Sequence, residues 1–256
     1  MSKRNTQQRR RLILDQLALQ GEVKVDELAK QLQTSEVTVR KDLASLEASG
    51  LLLRRYGGAV PLPKELINET ADEELSVRKK SIAVAAAQLI RDHNRIIIDS
   101  GSTTAAMLPE FAKKQGLVVM TNSLAIAASL RELENEPTLL MPGGTWDPHS
   151  EAFQGQIAEQ ALRQYDFDQL FIGADGIDVE RGTTTFNELV GLSRVMADVA
   201  REVIVLAESN KIGRKIHNLE LAWQQISTLV TDSQLDPAIV EQIRAKGVTV
   251  ILAESK

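Results

Sequence analysis

The sequence predicts an α/β protein in two parts. Residues 1–60 form an N-terminal winged helix-turn-helix domain, residues 61–75 a linker, and residues 76–256 a larger, mostly parallel α/β domain. Three observations predict this. The first sixty residues hold short amphipathic helical stretches, then basic residues, then a Gly-Gly turn. The rest alternates short apolar runs with helical stretches, the pattern of a parallel sheet covered on both faces. The charge is also split: residues 1–60 carry 11 Lys/Arg against 7 Asp/Glu, and the remainder carries 19 against 28, within a net charge of -5. A basic head on an acidic body is expected where only the head approaches phosphates.

Composition excludes several classes. Hydrophobic residues make up 43% and charged residues 25%, an ordinary globular balance. No run approaches the ~20 apolar residues that span a bilayer, and the basic start has no apolar segment behind it long enough for a signal peptide, so none is expected. The absence of cysteine rules out disulfides, thiolate metal sites and cysteine catalysis. A cytoplasmic protein without a membrane partner is expected.

The head is read in chain order. Arg9-Arg10-Arg11 opens a helix that packs through Ile13, Leu14 and Leu17. Such a run serves either phosphate contact or a solvated helix end. Gly21 ends this helix, and Glu22 to Lys24 suits a short strand against the wing. Leu28, Ala29 and Leu32 share one face of the next helix, which breaks at Gln33-Thr34. Ser35 is a good N-cap, because its hydroxyl accepts from the free amides of the following turn. Val39, Leu43 and Leu46 then face inward at helical spacing.

With ~100° per residue, Val37, Lys41, Ala44, Ser45 and Ala48 point outward, and Thr38 and Arg40 flank them. That face is small, polar and basic, and slim enough for a DNA major groove. Gly50 stops the helix and Leu51-Leu52-Leu53 leads into a strand. Arg54, Arg55 and Tyr56 precede Gly57-Gly58, a turn that needs positive φ. The DNA-facing candidates are therefore Ser35, Glu36, Val37, Thr38, Arg40, Lys41, Arg54, Arg55 and Tyr56. A small helical bundle with a solvated face is the bland alternative, and the wing argues against it.

Pro61-Leu62-Pro63 closes the wing, and a polar, acidic stretch to Leu75 marks the boundary. Beyond it come a helix at Ile82 to Ile90, a strand at Arg95 to Asp99, a helix from Ser102, a strand at Leu117 to Met120 and a helix from Leu124. Further strands are expected at Thr138–Met141, Gln169–Gly173, Val203–Leu206, Leu229–Thr231 and Val248–Leu252.

In open parallel sheets, ligands bind beyond the carboxyl ends of the strands. Those ends are polar here and rich in hydroxyls. The first, Asp99-Ser100-Gly101-Ser102-Thr103-Thr104, joins a glycine turn to a helix N-terminus and suits one phosphate group. It matches neither GxxxxGK[ST] nor GxGxxG. A plain helix N-cap is its structural alternative. The others are Thr121-Asn122-Ser123; Pro142-Gly143-Gly144-Thr145; Gly173 to Asp178, where Asp175 and Asp178 could hold sugar hydroxyls; the polar loop Thr183 to Glu188, with Asn187 and Glu188; and Glu208 to Lys211, where Lys211 could complete a phosphate clamp. Each alone is ordinary turn chemistry. Together they point to one pocket for a small, hydroxylated, anionic molecule.

The same residues carry a resemblance. Val39-Arg40-Lys41-Asp42-Leu43, Leu46, Gly50, Arg54/Arg55 and Tyr56-Gly57-Gly58-Ala59 resemble the N-terminal domain of DeoR-type bacterial transcriptional regulators. Asp99 to Thr104, Thr121-Asn122-Ser123, Gly143-Gly144, Gly173 to Gly176, Asn187-Glu188 and Ser209-Asn210-Lys211 resemble their effector domain. The subgroup it is most similar to includes the glucitol repressor, on Thr121 to Leu124, Met141 to Thr145 and Gly176-Ile177-Asp178. The resemblance implies an effector domain folded like ribose-5-phosphate isomerase and glucosamine-6-phosphate deaminase. It also implies a repressor of a carbohydrate or polyol operon, released from operator DNA by a phosphorylated sugar or sugar alcohol. Dimers or tetramers on paired half-sites are expected.

The rival reading is a sugar-phosphate isomerase with a fused DNA-binding head. Ribose-5-phosphate isomerases carry Asp-Gly-Ala-Asp-Glu where this chain has Ile172-Gly173-Ala174-Asp175-Gly176, so two acids are missing. Glu188 is the remaining candidate base. His93, His149 and His217 lack metal-ligand spacing, so no metal and no cofactor is expected. Trp146 and Trp223 read as packing residues, with Trp146 also placed to line the pocket.

Overall fold

The computed structural model describes residues 9–10, 12–14, 16–17, 21–48, 52–55, 57–60, 77–148, 150–185, 187, 190–214 and 216–254, apart from the side chains of Ser45 and Ala48. The expectations for Arg11, Gly50, Leu51, Tyr56, the linker, His149, Phe186 and Glu188 lie outside these residues. The chain divides into two compact units, Met1–Glu74 and Leu75–Lys256.

In the first unit, β1 (Val23–Lys24) leads directly into α1 (Val25–Gln31), followed by α2 (Glu36–Ala48), β2 (Leu53–Arg55) and β3 (Gly58–Val60). The strands form a three-stranded antiparallel sheet in the order β1-β3-β2. The expected apolar faces meet in one core. Ile13, Leu17, Leu28, Val39, Leu43, Leu46 and Leu52 are all buried there. Thr38 N–H donates to Ser35 Oγ at 3.2 Å, so Ser35 caps α2 as its position suggests.

The Gly-Gly turn needs glycine for two different reasons. Gly57 turns at φ +82°. Gly58 has no such torsion; a Cβ there would lie 2.1 Å from Val23 O, so glycine lets β1 close on the hairpin.

The second unit is built on a seven-stranded sheet. Its strands are β4 (Arg95–Ile98), β5 (Val118–Thr121), β6 (Thr138–Leu140), β9 (Phe167–Gly173), β12 (Ala200–Leu206), β14 (Thr228–Asp232) and β15 (Thr249–Ala253). Their order is β15-β14-β12-β9-β4-β5-β6, every pair parallel. The helices are α3 (Val77–Ala87), α4 (Ser102–Ala105), α5 (Leu108–Phe111), α6 (Leu124–Arg131), α7 (Gln156–Leu162), α8 (Gly191–Asp198) and α9 (Pro237–Arg244).

Alternate residues of each strand face opposite cores, as the two-residue period of a pleat requires. Ile96, Ile98, Val119, Phe171, Ile204 and Leu206 pack with Ile82, Ala83, Ala86, Phe111 and Ile126. Ile97, Met120, Leu170, Ile172, Val203 and Val205 pack on the other face with Leu162, Val195, Met196, Val240 and Ile243. This double burial explains why the strands read as continuous apolar runs rather than alternating ones.

Two antiparallel additions were not expected from the sequence. One is the hairpin β7 (Thr145–Asp147) with β8 (Ala152–Gln154); the other is a sheet of β10 (Gly176–Asp178), β11 (Gly182–Thr185) and β13 (Asn218–Ala222). The stretch Thr183 to Thr185, expected as a loop, is thus a buried strand. Its threonines suit it, because β-branched side chains fit a pleated, covered surface. Trp223 is a packing residue, 2% exposed, with Nε1 donating to Val179 O at 2.9 Å. Trp146 instead stands 41% exposed, edge-on to Phe153.

Candidate DNA-facing surface and strand-end site

In the head, the outer side of α2 carries Val37, Arg40 and Lys41, all exposed, with Thr38 and Ala44 half-buried on its flanks. Arg40 is ion-paired to Glu36 at 2.8 Å and Arg54 to Glu47 at 2.6 Å. Both pairs are exposed, so each is worth little in water and can be traded for a phosphate. Among the described residues Lys41 and Arg55 make no ion pair and are exposed. Tyr56 falls outside the described residues.

Arg9 and Arg10 differ from both expectations drawn for them. Their Nε atoms share the carboxylate of Asp42 on α2, Arg10 at 3.0 Å, and that carboxylate is 3% exposed. These two cations hold the helices together rather than face a ligand. A hollow of about 680 Å³ lined by Asp26, Lys30, Gln33, Ser35 and Thr38 is the notch between α1 and α2.

In the body, β4 lies inside the sheet with strands on both sides. Chain progress runs from β4 to β5 and β6 on one side, and to β9, β12, β14 and β15 on the other. The crevice between the carboxyl ends of β4 and β9 is therefore the topological switch point, where open α/β sheets bind ligands. Asp99 follows β4 there and Asp175 follows β9.

These residues are linked. Asn122 Nδ2 donates to Asp99 Oδ1 at 2.8 Å, and Ser100 N–H donates to Asn122 Oδ1 at 3.1 Å. Thr185 Oγ1 donates to Asp175 Oδ2 at 2.6 Å. Lys211 Nζ donates to Ala174 O at 3.0 Å. Asn187 Nδ2 reaches Gln154 Oε1 at 3.4 Å. Gly143 and Gly144 lead into the β7–β8 hairpin; a Cβ on Gly144 would lie 2.5 Å from Gln154 O, so glycine allows the hairpin to close here.

Other predicted residues have structural work. Thr104 Oγ1 donates to the carbonyls of Asp99 and Gly101, closing the loop. Thr121 Oγ1 accepts from Ser123 N–H, and Ser123 Oγ caps α6 through Ile126 N–H. Asp178 has partners of its own at the β10–β11 turn. Its carboxylate accepts from Glu180 N–H at 2.9 Å and from Arg181 Nε at 2.7 Å, which fastens the turn. The helix beyond Gly101 starts at Ser102, as expected. It is a single turn, Ser102–Ala105, with no side-chain cap. Its dipole is correspondingly small, although the first amides of the turn still lack intrahelical acceptors.

Two residues at this edge were missed in the sequence. Glu220, on β13, has its carboxyl pushed up to about 7, chiefly by burial, with the charges of Asp99 and Asp175 adding to it and a hydrogen bond from Ser193 opposing. Asp99 is raised to about 6, again chiefly by burial, opposed by Asn122 and Ser100 N–H, with the Asp175 charge adding. Perturbed carboxylates that feel one another mark a candidate functional site. Lys79 is the second, its Nζ donating to Ser102 Oγ at 2.9 Å. Neither lies in a motif, and nothing local in the sequence signals them.

Among the described residues no group of three or more His, Asp or Glu is placed to hold a metal ion, and no helix is long and apolar enough to cross a membrane.

The profile of the DeoR-like helix-turn-helix domain matches residues 9–64, and that of the DeoR C-terminal sensor domain matches residues 75–233. A putative aga operon transcriptional repressor from Escherichia coli O157:H7 is 37% identical over 253 residues, covering 96% of this chain and 94% of that protein. A lactose phosphotransferase system repressor from Lactococcus lactis subsp. lactis is 31% identical over 257 residues, covering 98% and 100%. Ribose 5-phosphate isomerase A from Methanocaldococcus jannaschii aligns over 52% of this chain and 53% of its own, at 19% identity and a TM-score of 0.38. With a DeoR helix-turn-helix in its head and a DeoR sensor domain over its body, the chain belongs to the DeoR family of transcriptional regulators.

Proposed function

We propose that this chain is a cytoplasmic repressor of a carbohydrate or polyol operon that leaves its operator when a phosphorylated sugar or sugar alcohol binds the body. The observation that carries this reading is the pairing, in one chain, of an exposed basic helix face with polar strand ends at the sheet's switch point. The operator-facing residues are Ser35 to Thr38, Arg40 and Lys41 of the helix and Arg54, Arg55 and Tyr56 of the wing. The effector-facing residues are Ser100 to Thr103, Asn122, Asp175, Asn187, Glu188 and Lys211, with Lys79 and Glu220 added.

Regulation rather than catalysis fits the site. Ile172 is 1% exposed and buried in an apolar core. No acid stands at that position or at Gly176, so the isomerase pattern is broken where a base is needed. The coupling is reciprocal: operator DNA weakens effector binding by the factor by which effector weakens operator binding. A single winged helix covers little DNA, so the chain acts as a dimer or tetramer on paired half-sites.

The test is a titration of the full-length protein onto its own upstream DNA, repeated with glucosamine 6-phosphate, fructose 6-phosphate, glucitol 6-phosphate and ribose 5-phosphate. One of this class should release the DNA. In the Ser102→Ala/Thr103→Ala double variant operator binding should persist and release should be lost. Retention of the DNA by wild type throughout the panel would sink the repressor reading.

A further inference from the structure

Three of the polar loops of the strand-end site meet on one short strand, β8. Phe153 N–H donates to Asn122 O at 2.8 Å, and Ala152 bridges Ser123, in the loop after β5. Gly144, in the loop after β6, passes so close that a Cβ there would lie 2.5 Å from Gln154 O. Gln154 Oε1 accepts from Asn187 Nδ2 at 3.4 Å, in the loop after β11. Asn187 is tied to the site from its backbone as well. Its N–H donates to Thr185 Oγ1 at 3.0 Å, and that hydroxyl donates to Asp175 Oδ2.

Gln154 has the burial and the partners of a fixed side chain. It is 7% exposed, and its Nε2 donates to Asp147 Oδ2 at 3.0 Å and to Ser150 Oγ at 2.7 Å, both in the β7–β8 hairpin. Ser150 N–H and Oγ also donate to that Asp147 oxygen. A carboxamide has one donor end and one acceptor end. The carboxylate of Asp147 accepts, so Gln154 turns its nitrogen toward the hairpin and its oxygen toward Asn187. Asn187 must then turn its own nitrogen toward Gln154. The polarity set at Asp147 passes through two amides in series, and the carbonyl end of the Asn187 side chain is the end turned away from Gln154. Partners that lock the rotamer of a ligand-contacting side chain spare the ligand the cost of ordering it.

We propose that Gln154 is a positioning residue of the effector site: Asp147 sets the direction of its carboxamide, and Gln154 sets that of Asn187, which offers its carbonyl oxygen to a hydroxyl of the ligand. The proposal rests on the repressor reading above and on Asn187 facing the effector. It assigns recognition of the ligand's hydroxyls, as distinct from its anionic group, to a side chain held by the β7–β8 hairpin.

The experiment uses full-length protein, with calorimetry for affinity toward the four monophosphates named above and fluorescence anisotropy of labelled upstream DNA for release. Q154L should bind operator like wild type without ligand, and bind the releasing monophosphate about threefold to tenfold more weakly, the worth of one hydrogen bond. N187A should lose at least as much. In the N187A background Q154L should cost less than about twofold further, because residues in one hydrogen-bonded chain are coupled. A merely structural role for Gln154 would add its full cost there, and full additivity would overturn the proposal, as would wild-type affinity in Q154L. Should Q154L fail to fold, Q154M makes the same comparisons. The nuclear magnetic resonance signal of the Asn187 side-chain amide, identified by its loss in N187A, reads the positioning without any ligand. In Q154L it should shift and exchange faster with water, and an unchanged signal would overturn the proposal. If no monophosphate releases wild type, the repressor reading falls, and that signal alone decides the role of Gln154.

Discussion

One carboxylate of the head, Asp42, and two of the strand-end site, Asp99 and Glu220, are held in opposite ways. Asp42 in the head is 2% exposed and shared by two guanidinium groups, those of Arg9 and Arg10. Asp99 and Glu220 in the body are partly buried and receive hydrogen bonds from neutral donors, Asn122 and Ser193. In the head the charge is matched, and the result is a rigid joint between helices. In the body it is unmatched, so the charged form is disfavoured, and neighbouring carboxylates add to the effect. A carboxylate held by cations is architecture; one held by neutral donors is left with a raised pKa and responds to pH.

The largest test of this contrast is in the head. Asp42→Ala strands two cations against a packed helix, and breaking a buried pair costs about 3–5 kcal/mol. The partial exposure of Arg10, 35%, puts the expected loss at the lower end. Chemical denaturation of the head and its operator affinity should both show it, the affinity falling to a background level. A variant as stable as wild type would mean that the clamp does not hold the head together.

The body should respond with the opposite sign. Because Asp99 and Glu220 have folded values near 6 and 7, above the ordinary 3.8 and 4.5, the unfolded chain ionises first as pH rises. Their contribution to stability is fully present below about pH 4 and is lost as pH climbs through the folded values. Asp99→Asn or Glu220→Gln should therefore stabilise the body at pH 8, by about 1–3 kcal/mol. The double variant should also flatten the decline in melting temperature between pH 5 and pH 8. A steeper decline in the double variant would reverse the assignment.

The smallest effects sharpen the contrast between spent and exposed cations within the head. Lys41→Ala and Arg55→Ala should each weaken operator binding severalfold and reduce the slope of log affinity against log salt by about one. Arg40→Ala and Arg54→Ala should do less, because Glu36 and Glu47 already offset those charges. Equal effects from all four would show that the ion pairs dissolve completely on DNA.

Much of this was legible in the chain. The burial of Val39, Leu43 and Leu46 followed from helical spacing, and the alternation of apolar strands with helices implied a parallel sheet. The strand-end loops were legible because parallel strands all put their carboxyl ends at one edge. The hairpin β7–β8 and the sheet of β10, β11 and β13 were not, since they are short and lack the run of apolar residues that marked the main strands. Thr183 to Thr185 shows why: three threonines look like a polar loop until a covering sheet is known.

The amino-acid order by itself determined the two-part architecture, the inner face of the second helix and the polar loops at the strand ends. Those follow from period, turn chemistry and charge density, all local properties. Only the tertiary structure decided which charged groups were already taken. Arg9 lies 33 residues from Asp42, and Lys79 lies 23 from Ser102. No local pattern encodes such pairings, because electrostatic partners are chosen by distance in space, and that distance exists only once the sheet order and the helix crossings are set.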